Sequence, residues 1–166
     1  MHQRTLAIVS GLAATAVVVA FASHSATAAT GGPECRAADL AGAIIDTQGA
    51  AGSRFGRLIL INTSARTCHT KGFIGGQFVG DDGHALPTHV IRDHSTPARR
   101  VVIKSGAAGA LQLRWSDVPS GNGPCTRARW LRVIPPDDTK ALRVYFGAAP
   151  CRGRLEVRAI TSPRTV

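Results

Sequence analysis

The stretch K-G-F-I-G-G-Q-F-V-G-D-D-G, Lys71 to Gly83, holds five glycines in thirteen residues and two adjacent carboxylates. A phosphate cradle needs glycine-rich backbone opening into a helix N-terminus. Here Gly75-Gly76 runs into Gln77-Phe78-Val79, which reads as a strand, with no Lys-Ser or Lys-Thr pair behind it. A calcium loop needs carboxylates at alternate positions and a late Glu. Asp81 and Asp82 are adjacent, and no Glu follows within loop reach. Asp82-Gly83 between Phe78-Val79 and Ala85-Leu86 is instead a hairpin signal, because glycine takes positive φ at no steric cost. The stretch therefore reads as a strand entering a tight turn, with Gly75 and Gly76 leaving room for a neighbour to approach.

The rest of the chain follows the same pattern. Arg57 to Asn62 is apolar on both parities, as in a strand covered on both faces. Leu111, Leu113 and Trp115 alternate with Gln112 and Arg114, which predicts a half-buried strand. Further strands are expected over 36–47, 74–79, 85–91, 100–103, 128–134, 141–147 and around Leu155 and Val157. Beyond the N-terminus no stretch keeps a 3.6-residue apolar period for three turns, and turn signals recur at short intervals. The fold class is all-β: an immunoglobulin-like antiparallel sandwich of about seven to nine strands with two disulfides.

The N-terminus has the layout of a secretory signal peptide. A short head with Arg4 precedes an apolar run, Leu6 to Ala22, and Ala26-Thr27-Ala28 offers a small-x-small cleavage site. Residues 1–28 are read as the signal, 29–34 as a flexible lead and 35–162 as one domain. The alternative is a retained anchor, for which the run is short against a span of about 20 residues. No cysteine follows the run in a lipobox, so the protein is expected to be secreted or held in the cell envelope.

Four cysteines, Cys35, Cys68, Cys125 and Cys151, suit an exported chain with disulfides. Three pairings are open. If the first two strands pair antiparallel, the start of one meets the end of the other. That favours Cys35 with Cys68, and the same logic across the 128–134 and 141–147 strands favours Cys125 with Cys151.

Several segments in order resemble a known family. N-T-S-A-R-T-C-H-T-K-G-F-I-G-G-Q-F-V-G-D-D-G (62–83), C-R-A-A-D-L (35–40) and I-K-S-G-A-A-G-A-L-Q-L-R-W-S (103–116) resemble the core of the DUF4232 domain. Cys125, the Pro135-Pro136 turn and Cys151 continue the order. The resemblance implies an exported or lipid-anchored actinobacterial protein with a β-sandwich and no agreed activity, so it assigns no catalytic residue. Gly75 and Ser105 stand where the family has prolines, which loosens turns.

Of 20 basic side chains, set against 10 acidic ones, 17 are Arg, and the net charge is +10. Such a surface favours acidic partners. For an exported protein these are anionic envelope polymers, lipid head groups or an extracellular protein, and nucleic acid is disfavoured. The outward Arg set Arg114, Arg143, Arg154 and Arg158, with Arg99 and Arg100, forms the candidate binding surface. Trp115 and Trp130 are read as core. The alternative is copper or zinc binding by His69, His84, His89 and His94, whose ligand type fits and whose spacing by five along strands does not. No G-x-S-x-G or S-x-x-K motif is present, and Asp137-Asp138 reads as turn chemistry. The expectation is a non-enzymatic binding module with no cofactor.

Overall fold

The computed structural model describes residues 32–119 and 123–162. The signal peptide expected over residues 1–28 lies outside them. After a 3-10 turn at Ala37–Asp39 come ten strands: β1 (Leu40–Ala50), β2 (Ser53–Asn62), β3 (Cys68–Thr70), β4 (Gly75–Val79), β5 (His89–Asp93), β6 (Val101–Ile103), β7 (Ala108–Trp115), β8 (Ala128–Ile134), β9 (Leu142–Ala148) and β10 (Arg154–Arg158). They form a five-stranded sheet in the order β1-β2-β7-β10-β5, a three-stranded sheet β4-β8-β9 and the pair β3-β6. β10 and β5 run parallel, and the other pairs are antiparallel.

Alternation built the layers. In β7 the side chains of Leu111, Leu113 and Trp115 are buried while Arg114 is exposed. β10 buries Leu155 and Val157, β8 buries Leu131 and Val133, and β9 buries Val144 and Phe146. These meet Leu58, Leu60 and Phe78 in one apolar cluster between the two larger sheets. Phe146 links two of its rings, with ring centroids 4.9 Å from both Phe78 and Trp115. Burying each such side chain contributes about 1.5–3 kcal/mol. The sheets come close where side chains are smallest. A Cβ on Gly42 would lie 2.6 Å from Val144 Cγ2, and one on Gly76 would lie 3.1 Å from Leu155 Cδ2.

Lys71 to Gly83 is the strand β4 and its turn. The Gly80 N–H donates to His84 O and the Leu86 N–H to Phe78 O. Gly83 has φ +81°, and Asp82 Oδ1 accepts the His84 N–H at 3.0 Å.

Two strand expectations are corrected. β2 is not covered on both faces: Leu58 and Leu60 are buried, but Ile61 is 38% exposed, because no strand layer lies over the outer face of its sheet among the described residues. The strand expected over 85–91 begins only at His89. Pro87 has no N–H to give a ladder, and Ala85 makes an isolated bridge to Val79.

Two disulfides staple the ends. Cys35 is joined to Cys68, and Cys125 to Cys151, the pairing favoured from strand order. The first ties the segment before β1 to β3, where the Cys35 N–H also donates to His69 O. The second lies on an isolated antiparallel bridge between the two cysteines.

Candidate functional site

The six candidate arginines fall in three places. Arg114 and Arg154 both reach Glu156, at 3.6 and 3.7 Å, on the outer face of the five-stranded sheet. On the same face the Arg158 Nε donates to Asp93 Oδ2 at 2.8 Å. Arg99 and Arg100 lie exposed on the segment entering β6. Arg143 belongs to β9, in the other large sheet. The structure thus brings Arg114, Arg154 and Arg158 together, but each with a carboxylate beside it. Arg158 and the Ser95 N–H and hydroxyl hold the Asp93 carboxyl down at about pKa 2.

The face of the three-stranded sheet is different. Trp130 lies there half-buried, which corrects its reading as a core residue; Trp115 is the buried one. Trp130 pairs across the ladder with Tyr145, their rings edge to face at 5.7 Å. The guanidinium carbons of Arg143 and Arg129 lie 5.3 and 5.5 Å from the Trp130 ring centre. Arg132, opposite Arg143 in the same ladder, is exposed. Asp81 touches the flank, 3.5 Å from Arg127 and 4.0 Å from Arg129. Among the described residues no carboxylate lies within ion-pair distance of Arg132 or Arg143.

A bulge in β9 makes this face. The register shifts between Ala128 and Trp130, where β9 spends an extra residue at Phe146-Gly147. Gly147 has φ +64°, the left-handed geometry of a glycine bulge. A Cβ there would fall 2.7 Å from the Tyr145 hydroxyl, so the Tyr145 ring lies along the bare glycine. The break in parity leaves Arg129 exposed although it is in step with buried Leu131 and Val133. The available sign was that Trp130 shares parity with Arg132, not with the core.

The histidines are spread out. The His69 Nδ1–H donates to Gly32 O at 2.8 Å and its Nε2 faces Glu34 at 3.3 Å. His84 is in the β4 turn, His89 on β5, and His94 packs on Phe73 with centroids 4.7 Å apart. Among the described residues no group of three His, Cys, Asp or Glu side chains is placed to hold a metal ion. Asp138 serves its turn: it accepts N–H groups from Ala37, Thr139 and Lys140. The Ala37 bond is the first cause of its lowered pKa.

The fold and the surfaces thus define a two-disulfide, all-β sandwich domain with a basic-aromatic face. The chain belongs to the DUF4232 family, a domain of unknown function, whose model matches residues 35–161. Comparison with curated proteins finds no match, and comparison with solved structures finds none. Among the described residues no helix is long and apolar enough to cross a membrane, and the disulfides are consistent with an extracytoplasmic location.

Proposed function

We propose that the protein is an exported, non-enzymatic binding module that holds an anionic polymer of the cell envelope on the β8–β9 face. One observation carries this reading: Arg129 and Arg143 both lie over Trp130, Arg132 stands opposite Arg143, and among the described residues no carboxylate pairs with Arg132 or Arg143. Stacking on an indole holds a guanidinium in place, so less rotamer freedom is lost when it binds. A fixed guanidinium fork matches phosphate or carboxylate oxygens two at a time. Several forks along one sheet face suit a repeating anion better than a single one. The arginines of the opposite face are already met by Glu156 and Asp93 and contribute less.

The test is titration with sodium polyphosphate at rising salt, followed by Trp fluorescence and calorimetry. Arg132→Glu/Arg143→Glu is compared with the charge-matched Arg99→Glu/Arg100→Glu. The first should weaken binding by roughly tenfold or more and flatten its salt dependence, as expected when phosphate contacts are removed. The second should change it little. Equal losses in both would mean attraction by net charge alone and would end the proposal.

A further inference from the structure

We propose a second site, independent of the basic face: a groove on the outer face of the five-stranded sheet that binds a neutral oligosaccharide. The groove has a volume of about 710 Å³ and runs on into a recess of about 190 Å³, with Phe55, Gln112 and Arg158 lining both. Small-molecule sites commonly span about 300–1,000 Å³.

Its shape comes from β1. The β1–β2 register slips between Ile45 and Gln48, and Asp46 takes φ +52° at the slip. A bulge bends its strand. Asp46 and Gln48 thereby line the groove beside a floor of Phe55, Arg57 and Gln112. Arg57 and Gln112 are direct partners across β2 and β7.

The chemistry of the lining selects the ligand. Its charges are matched within the chain: Arg57 with Asp46 at 2.7 Å and Arg158 with Asp93 at 2.8 Å. A matched lining favours neither an anion nor a cation. Polar capacity is left over all the same. The side-chain amides of exposed Gln48 and half-buried Gln112 make no hydrogen bond to protein among the described residues. The Arg57 side chain, held by Asp46 through one terminal nitrogen, is still 43% exposed. An amide offers two donors and an acceptor in one plane, and a sugar hydroxyl both donates and accepts. Adjacent hydroxyls of a pyranose can therefore meet amide and guanidinium edges together. Phe55 lines both recesses; the Arg114 guanidinium lies over its ring at 5.7 Å in the smaller one, and Arg114 does not line the larger groove, where the ring offers aromatic surface to the C–H side of a sugar. A simple anion would find both guanidinium groups already met by carboxylates and would leave the amide acceptors unused.

The experiment uses the exported chain with its disulfides intact. Neutral hexasaccharides of glucose, mannose and N-acetylglucosamine are added at millimolar concentration, with the side-chain amide signals of Gln48 and Gln112 followed by NMR. At least one sugar should shift those signals, to the same extent at low and high salt. Gln48→Ala/Gln112→Ala should weaken that sugar by roughly tenfold, the loss expected for two hydrogen bonds. Gln112→Trp, which fills the groove, should abolish binding, with the unfolding midpoint showing that each variant is folded. Arg132→Glu/Arg143→Glu should leave it unchanged, which separates this site from the anionic one. If none of the three sugars moves the amide signals, or if the double alanine variant binds as well as the parent, the proposal is overturned.

Discussion

Arg158 and Asp93 stand directly opposite each other in the parallel pair β10–β5, and the Arg158 Nε donates to Asp93 Oδ2 at 2.8 Å. β5 is an edge strand whose sheet neighbour is β10, so this bond ties down the end of the parallel ladder. The Asp93 carboxyl is lowered to about pKa 2, first by Arg158 and then by Ser95. An unfolded aspartate titrates near pKa 3.9. A depressed carboxyl stabilises the fold above the unfolded pKa, and that contribution is lost as pH falls through the folded one. Asp138 is shifted the same way and adds to the effect. Stability should therefore decline on acidification between about pH 4 and pH 2. Asp93→Asn should shrink that decline, as read from urea unfolding midpoints at several pH values. An equal decline in the variant would show that other carboxylates carry it.

Each disulfide closes a loop of moderate length, with sequence separations of 33 and 26. In the chain-entropy model such loops contribute about 3.5 kcal/mol each. Cys35→Ser/Cys68→Ser and Cys125→Ser/Cys151→Ser should each lose about that much in denaturant unfolding. Full reduction should leave the domain near its limit, since net stabilities run at about 5–15 kcal/mol.

Gly42 brings β1 close against β9. An alanine there would place its Cβ 2.6 Å from Val144 Cγ2 and 3.2 Å from Leu142 Cδ1. Val144 is buried and cannot swing away. Gly42→Ala should destabilise by about 1–3 kcal/mol, the usual effect of overpacking, and thermal unfolding will measure it. No change in midpoint would mean that the two sheets can part at this corner.

Trp130 and Trp115 should report separately. Trp115 is 3% exposed, whereas Trp130 is half-buried beneath two guanidinium groups. Acrylamide should quench Trp130 and spare Trp115. Arg143→Ala should increase the Trp130 quenching and leave the buried signal as it was. Uniform quenching of both rings would contradict the packing described.

Much of the fold was legible. A period of two says which side of a strand a residue takes, and β7, β9 and β10 obey it at Arg114, Arg143 and Arg158. β8 was foreseen at its observed bounds, Ala128–Ile134, yet its indole was misplaced. Trp130 itself keeps step with exposed Arg132; the alternation was masked by Arg129, whose parity is broken from across the ladder by the bulge at Gly147. β2 was misjudged for a related reason. Ile59 and Ile61 look like core residues, but whether a second layer covers a sheet depends on where distant strands go.

Alternation and turn residues were enough to predict an all-β chain, and hairpin order was enough to favour the two staples that the structure shows, because these are local preferences or simple consequences of strand order. Charge composition was enough to show a basic protein. Tertiary structure alone decided which arginines remain uncompensated. Glu156 lies between Arg114 and Arg154, and Asp93 meets Arg158 from another strand, while Arg129 and Arg143 lie over Trp130 and Arg132 stands opposite Arg143. The reason is physical: an ion pair depends on distance in space, and partners 65 residues apart in the chain, as Arg158 and Asp93 are, become neighbours only when the sheet closes.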